Sequence, residues 1–104
     1  MEQFDVYINP VAAARSAYPY VVNLQSDVTG GGHATVVAPL ALASRFDGMA
    51  GRLHPRVSID AREFILGISE LTALPTEDLK RRVANVAAHR AAIMDSIDLL
   101  FFGV

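Results

Sequence analysis

Phe4, Val6 and Ile8 alternate with Gln3, Asp5 and Tyr7. That period of two predicts a strand with one buried face, ended by Pro10. The small, irregular stretch from Val11 to Ala17 reads as a long loop. Alternation returns from Tyr18 to Gln25, with Tyr20, Val22 and Leu24 on one face and Val21, Asn23 and Gln25 on the other. Pro19 lies near the start of this strand, where a missing N–H donor does least harm. Three consecutive glycines between Asp27 and Gly32 predict a mobile turn. Ala34 to Ala38 reads as a third strand closed by Pro39, and Leu42 to Phe46 as one or two helical turns. Gly48, Gly51 and Pro55 mark another loop. Val57 to Ile59 and Glu63 to Ile68 flank Asp60-Ala61-Arg62, the connection of a hairpin, with Gly67 as the mark of a bulge. Leu71 to Leu74 is a further short strand before Pro75.

The C-terminal part reads as a helix with two candidate starts. Thr76-Glu77-Asp78 would cap a helix beginning near Glu77, and Asn85 would cap a shorter one. At about 100° per residue counted from Ile93, Val83, Val86, Ile93, Met94, Ile97, Leu100 and Phe101 fall on one apolar arc. Phe102 falls opposite, beside Asp95 and Asp98. Folding gives no reason to expose an aromatic ahead of Gly103 and Val104, and a surface aromatic flanked by carboxylates is a candidate binding anchor. The alternative is a frayed helix end that folds Phe102 back onto the body or onto a partner subunit.

With 104 residues, the expectation is one domain, residues 1–104, with one core. Hydrophobic residues make up 52% and charged residues 19%, rich for a small monomer, so some apolar surface is expected in a subunit interface. The net charge of −2 argues against a general nucleic-acid binder, although a local basic patch remains open. The absence of cysteine excludes disulfides, thiol catalysis and Cys–zinc sites. The start, Met1-Glu2-Gln3-Phe4-Asp5, lacks the basic and apolar regions of a signal peptide, and no apolar run approaches a membrane span. A soluble, cytoplasmic protein without membrane contact is expected.

No motif specifies a reaction. His33, His54 and His89 share no ligand spacing with an acid or with each other, so no metal and no cofactor is expected. His89, near the edge of the apolar arc, reads as a partly buried structural histidine, and His33 beside the glycine turn as solvated. Gly67-Ile68-Ser69-Glu70-Leu71 lacks the second glycine of a nucleophile elbow. Gly30-Gly31-Gly32 lacks the Lys and Ser/Thr of a phosphate loop. Lys80-Arg81-Arg82 reads as a solvated basic face, with a local anion contact as the alternative. No catalytic residue is assigned.

Several segments, in order, resemble the CcdB family, the toxin half of a bacterial toxin–antitoxin pair. They are Gln3-Phe4-Asp5-Val6-Tyr7, Val22-Asn23-Leu24-Gln25-Ser26-Asp27, Val36-Val37-Ala38-Pro39-Leu40, Leu74-Pro75 and the closing Ile97-Asp98-Leu99-Leu100-Phe101-Phe102-Gly103-Val104. The resemblance implies a mostly β fold, an SH3-like antiparallel β-barrel of the CcdB/MazF type with a C-terminal α-helix, assembled as a homodimer. It implies binding rather than catalysis: the dimer binds the DNA gyrase A subunit and traps gyrase on cleaved DNA. The implied gyrase contact maps to Asp98, Phe102, Gly103 and Val104, with Val28 and Thr29 nearby. A CcdA-like antitoxin is implied to wrap over the loop from about Asn9 to Arg15 and over part of the stretch from Ser44 to Ala50, including Arg45. No sequence-specific nucleic-acid binding by the chain alone is implied.

Two residues depart from the toxic pattern. Phe102 stands where toxic members typically carry Trp, losing area and the indole donor. Asp98 stands where Asn is common, adding a negative charge. A homologue that binds antitoxin without poisoning gyrase is therefore one alternative. A second is a MazF-like ribonuclease recruiting Arg15, Arg45, His33 and Arg62, whose spacing specifies no site and whose acidic pI of about 5.8 disfavours holding an RNA backbone.

Overall fold

The computed structural model describes residues 1–104. Seven strands and two helices follow in chain order: β1 (Asp5–Ile8), β2 (Tyr20–Asn23), β3 (Ala34–Leu42), α1 (Ala43–Phe46), β4 (Arg56–Ile59), β5 (Arg62–Leu66), β6 (Thr72–Pro75), β7 (Arg82–Asn85) and α2 (Arg90–Phe102). All pairings are antiparallel, in the order β4-β5-β3-β2-β1-β7, with β6 added to β3. The sheet curls into a half-barrel with the C-terminal helix packed on it, the architecture that the resemblance implies.

Strand β3 is the hub. Its Tyr20-to-Asn23 neighbour β2 covers one edge over Val37–Leu40, while its other edge serves β6 at Ala34–Val37 and β5 at Leu40–Leu42. Pro39, expected to close the strand, lies in its middle. Its carbonyl accepts from the Gly67 N–H at 2.8 Å. Within an antiparallel strand the N and C=O of one residue face the same neighbour. The missing Pro39 donor therefore faces the gap where β5 hands over to β6, and no ladder bond is lost. Gly67 stands in that gap rather than in a bulge. A Cβ there would meet Pro39 Cγ at 3.3 Å.

The main core lies between the sheet's inner face and α2. Phe4, Val6, Val22, Leu40, Phe64, Leu66, Ile68, Val86 and Ile93 are its members, each no more than 2% exposed. Burying each Phe, Leu or Ile contributes roughly 1.5–3 kcal/mol. The other face of β1 and β2 is not wet as the alternation suggests. Tyr7, Val21 and Val37 join Leu79 in a second, smaller core. Leu79 reaches it because the chain after β6 makes one tight turn, Thr76–Asp78, and returns toward β1.

The helix begins later than either candidate start. Residues around Glu77 form only a single 3₁₀ turn, and Arg82–Asn85 form β7, paired to β1. Asn85 does cap: its Oδ1 accepts from the Ala87 N–H at 2.9 Å, opening the 3₁₀ turn that leads into α2. Val83 and Val86 are therefore not on the helix. Val86 is buried from the strand's end, and Val83 is exposed. The buried stripe of α2 is Ile93, Ser96, Ile97 and Leu100, spaced i, i+3, i+4, i+7. Ser96 is tolerated there because its hydroxyl donates to the Ile93 carbonyl at 2.7 Å. Phe101, expected on the buried arc, is 60% exposed, because the last turn of α2 carries it beyond the core.

The hairpin between β4 and β5 is tighter than expected. Ile59 pairs Arg62, so Asp60-Ala61 is the whole loop. Both have positive φ, 49° and 65°, the signature of a type I′ turn. No helix is long and apolar enough to cross a membrane.

Candidate functional site

The last turn of α2 sets the geometry of the tail. Gly103 takes φ 72°, and its N–H donates to the Leu99 carbonyl at 3.0 Å. This left-handed cap ends the helix sharply and is open without strain only to glycine. Phe101, Phe102 and Val104 consequently stand exposed together, Phe102 at 74% and Val104 at 71%. The side chain of Phe102 does not fold back onto the body.

The tail is tethered by a residue that the sequence does not point to. Arg52, in the loop after α1, grips Asp95 with two prongs: Nε to Oδ2 at 2.7 Å and Nη2 to Oδ1 at 2.9 Å. The same Nη2 donates to the backbone oxygen of Val104. The Arg52 hydrogen bond holds the Asp95 carboxyl below the ordinary carboxylate value, against a smaller opposing effect of desolvation. Asp95 is thus neutralised by a partner. Asp98, one turn before Phe102, is exposed and has no ion-pair partner. The surface is then two exposed rings and an aliphatic residue beside one free carboxylate. It holds no nucleophile–base pair, and its chemistry is that of a docking anchor.

Val28 and Thr29 lie in the β2–β3 loop, with Val28 94% exposed. Their loop is fastened at the opposite end of the helix. Asp27 Oδ1 accepts from the Gln3 N–H at 2.8 Å, and Gln3 Oε1 accepts from Arg90 at 3.3 Å. Twelve residues at 1.5 Å each separate Arg90 from Phe102 along the axis, about 18 Å. One copy of the chain therefore does not gather this pair and the tail into a single patch.

The residues tied by resemblance to an antitoxin do converge. The loop between β1 and β2 touches α1 through Arg45, whose Nη1 donates to the Ser16 carbonyl at 3.0 Å. Tyr18 stacks on Phe46 with ring centroids 6.1 Å apart. Arg15, Ser44 and Arg45 are exposed on this joined surface. Asn9 is different. It is 5% exposed, its Nδ2 donates to the Tyr18 carbonyl and its Oδ1 accepts from the Val11 N–H. Its side chain folds the loop and is buried away from any partner's reach.

The residues of the ribonuclease alternative are dispersed. Arg62 lies over the Phe64 ring at the β4–β5 hairpin, and His33 stands in the β2–β3 loop, its carbonyl accepting from Thr76. Arg15 and Arg45 are on the surface just described. His89 is partly buried, and its Nε2 accepts from the Ser58 N–H at 3.2 Å, closing one edge bond of β4. His54 Nε2 and Ser69 Oγ are 2.7 Å apart. No group of His, Asp and Glu side chains is placed to hold a metal ion. A family model described as CcdB protein matches residues 3–103, almost the whole chain.

Proposed function

This chain belongs to the CcdB family, the toxins of toxin–antitoxin pairs, and on that premise we propose that it acts by binding the A subunit of DNA gyrase and trapping the enzyme on cleaved DNA. The observation that carries this reading is the exposed tail: Phe102 and Val104 stand in solvent on a capped helix end that folding alone does not require. Phe102 is the anchor, Gly103 turns the chain and Val104 adds apolar contact, with Asp98 one turn behind and the Val28–Thr29 loop as a separate contact. The active form is a cytoplasmic homodimer of a single domain, residues 1–104. The exposed Phe101 supplies apolar surface next to the tail for the second copy. A CcdA-like antitoxin covers the joined surface of Arg15, Ser44 and Arg45. The action is binding and not catalysis, and the chain alone reads no nucleic-acid sequence.

The test is a titration against a gyrase A fragment with the wild type, a truncation lacking Phe102-Gly103-Val104, and Phe102→Trp. The truncation is expected to lose binding, and Phe102→Trp to bind more tightly, since a desolvated aromatic anchor is worth about 2 kcal/mol or more. Equal affinity of truncation and wild type would show that the tail is not the site.

The free Asp98 carboxylate favours a second reading, a homologue that binds antitoxin without touching gyrase. Failure of both wild type and Phe102→Trp to bind gyrase, with antitoxin binding intact, would select it.

A further inference from the structure

A polar cleft of about 510 Å³ opens between the β1–β2 loop and the chain leading into β7, lined by Ile8, Pro10, Arg15, Asp78, Lys80 and Arg81. Its two walls are pinned to consecutive residues of one strand end. On one side Arg15 Nε donates to the Asn9 carbonyl at 2.6 Å, which anchors the guanidinium while its terminal nitrogens make no hydrogen bond or ion pair within the chain. On the other, the Arg81 carbonyl accepts from the Ile8 N–H at 3.2 Å, and Leu79 is buried in the second core. Lys80 and Arg81 are therefore held beside β1 rather than swinging on a loose loop.

The basic triplet divides along this line. Arg82 turns the other way and binds Asp5 at 2.7 Å. Arg15, Lys80 and Arg81 are exposed and have no ion-pair partner. Within the cleft three cations face one carboxylate, Asp78, in a chain whose net charge is −2. A guanidinium with free N–H donors, as on Arg15 and Arg81, matches carboxylates in a two-pronged fashion, and that of Arg15 is already anchored. No aromatic side chain lines the cleft to stack a base, which a single-stranded nucleic acid would use. Ile8 and Pro10 supply the apolar part of its lining instead.

We propose that this cleft is the docking site for an acidic segment of the antitoxin, its carboxylates taken by Arg15, Lys80 and Arg81 and its apolar residues by Ile8 and Pro10. The inference rests on the antitoxin reading of the Arg15, Ser44 and Arg45 surface, and extends that surface across the β1–β2 loop to the segment that leads into β7. Arg15 is the residue the two halves share.

The test uses the full chain, its cognate antitoxin, and a fluorescein-labelled peptide alternating Glu and Leu, with the Gln–Leu peptide and single-stranded RNA as comparisons. Wild type is expected to hold the Glu peptide and not the Gln peptide. The double variant Lys80→Gln/Arg81→Gln, both positions being exposed, is expected to lose about tenfold in affinity for both Glu peptide and antitoxin at low salt. That difference is expected to vanish near 1 M salt, where the screening length is about 3 Å. Lys80→Arg is expected to retain binding. Unchanged antitoxin affinity and salt dependence in the double variant would overturn the proposal, as would RNA binding with the same Lys80 and Arg81 dependence. If the antitoxin fails to bind wild type while the Glu peptide is held, the partner reading falls and the cleft's preference for carboxylates stands.

Discussion

Arg82 reaches across from β7 to Asp5 of β1, Nε to Oδ1 at 2.7 Å, and joins a carboxylate that is only 2% exposed. Asp5 also accepts from Asn85 Nδ2 at 3.0 Å and from the Glu2 N–H at 2.8 Å. Burial pushes the Asp5 carboxyl up, but the hydrogen bonds from Asn85, Arg82 and Glu2, with the Arg82 charge, outweigh it and hold the group below the ordinary value.

A depressed folded value means that the stabilisation is present above the unfolded carboxylate value, about 3.9, and is lost as pH falls through the folded one. Urea titrations are expected to show stability nearly flat from neutral pH to about 5 and falling below about 4. Asp5→Ala should cost about 2 kcal/mol at neutral pH by removing the buried acceptor of three hydrogen bonds, one of them from a guanidinium, and its acid loss should be shallower. An identical acid slope in the variant would show that other carboxylates govern it.

Ala61 takes φ 65° at the second position of the β4–β5 turn, where a Cβ costs roughly 1–2 kcal/mol. Ala61→Gly is expected to raise stability by about 1 kcal/mol once the greater freedom of the unfolded glycine is offset. A rise in Tm of about 4 °C is the expected readout. An unchanged or lower Tm would show that the turn relaxes around alanine.

Ile97 and Phe101 are four residues apart on α2 and differ in burial. Ile97→Asp places a charge against the main core and should cost several kcal/mol. Phe101→Asp should leave the unfolding of the isolated chain within about 0.5 kcal/mol of wild type. In the proposed homodimer it should instead shift the mass in solution toward monomer. Equal destabilisation by both would place Phe101 in the fold after all.

Arg52→Gln removes both the Asp95 pair and the donor to the Val104 backbone. Nitrogen relaxation measurements are expected to show increased motion at Gly103 and Val104, with the main melting transition unmoved. In the gyrase titration the same variant is expected to bind more weakly, because a freed tail must be ordered again on contact. Unchanged relaxation would show that the glycine cap alone holds the tail.

The fold was legible where burial alternates. Val6 and Val22 follow the period of two, and the exposed side of Phe102 follows from a helical count; Leu40 lies past Pro39, which a local reading takes as the end of the strand. Strand β7 was not legible. Arg82-Val83-Ala84-Asn85 carries two small or branched apolar residues, and its strand state comes from pairing with β1, near the other end of the chain. Val83 and Val86 happened to match the helical phase of Ile93, which drew the helix start too early. Phe101 failed for a different reason, since angular phase says which side a residue faces but not where the core stops. Arg52 lies 43 positions from Asp95, and no local pattern announces such a pair. The basic triplet was visible as charge, but only the fold shows that Arg82 turns to Asp5 while Lys80 and Arg81 turn to the cleft.

Pairing of β1 with β7 also has a consequence in time. Asp5 and Asn85 are 80 positions apart, so neither the sheet's last seam nor the helix after it can be completed until nearly the whole chain has left the ribosome. Contacts of such separation must overcome the entropy of closing a long loop before they stabilise anything, which makes folding slow. At synthesis rates of about 5–20 residues per second, the β1–β2 loop and α1 emerge seconds before the Phe102 tail exists. The cleft is therefore built in two instalments, its Pro10 and Arg15 wall seconds before its Lys80 and Arg81 wall, and neither is fixed in place until β7 has closed on β1.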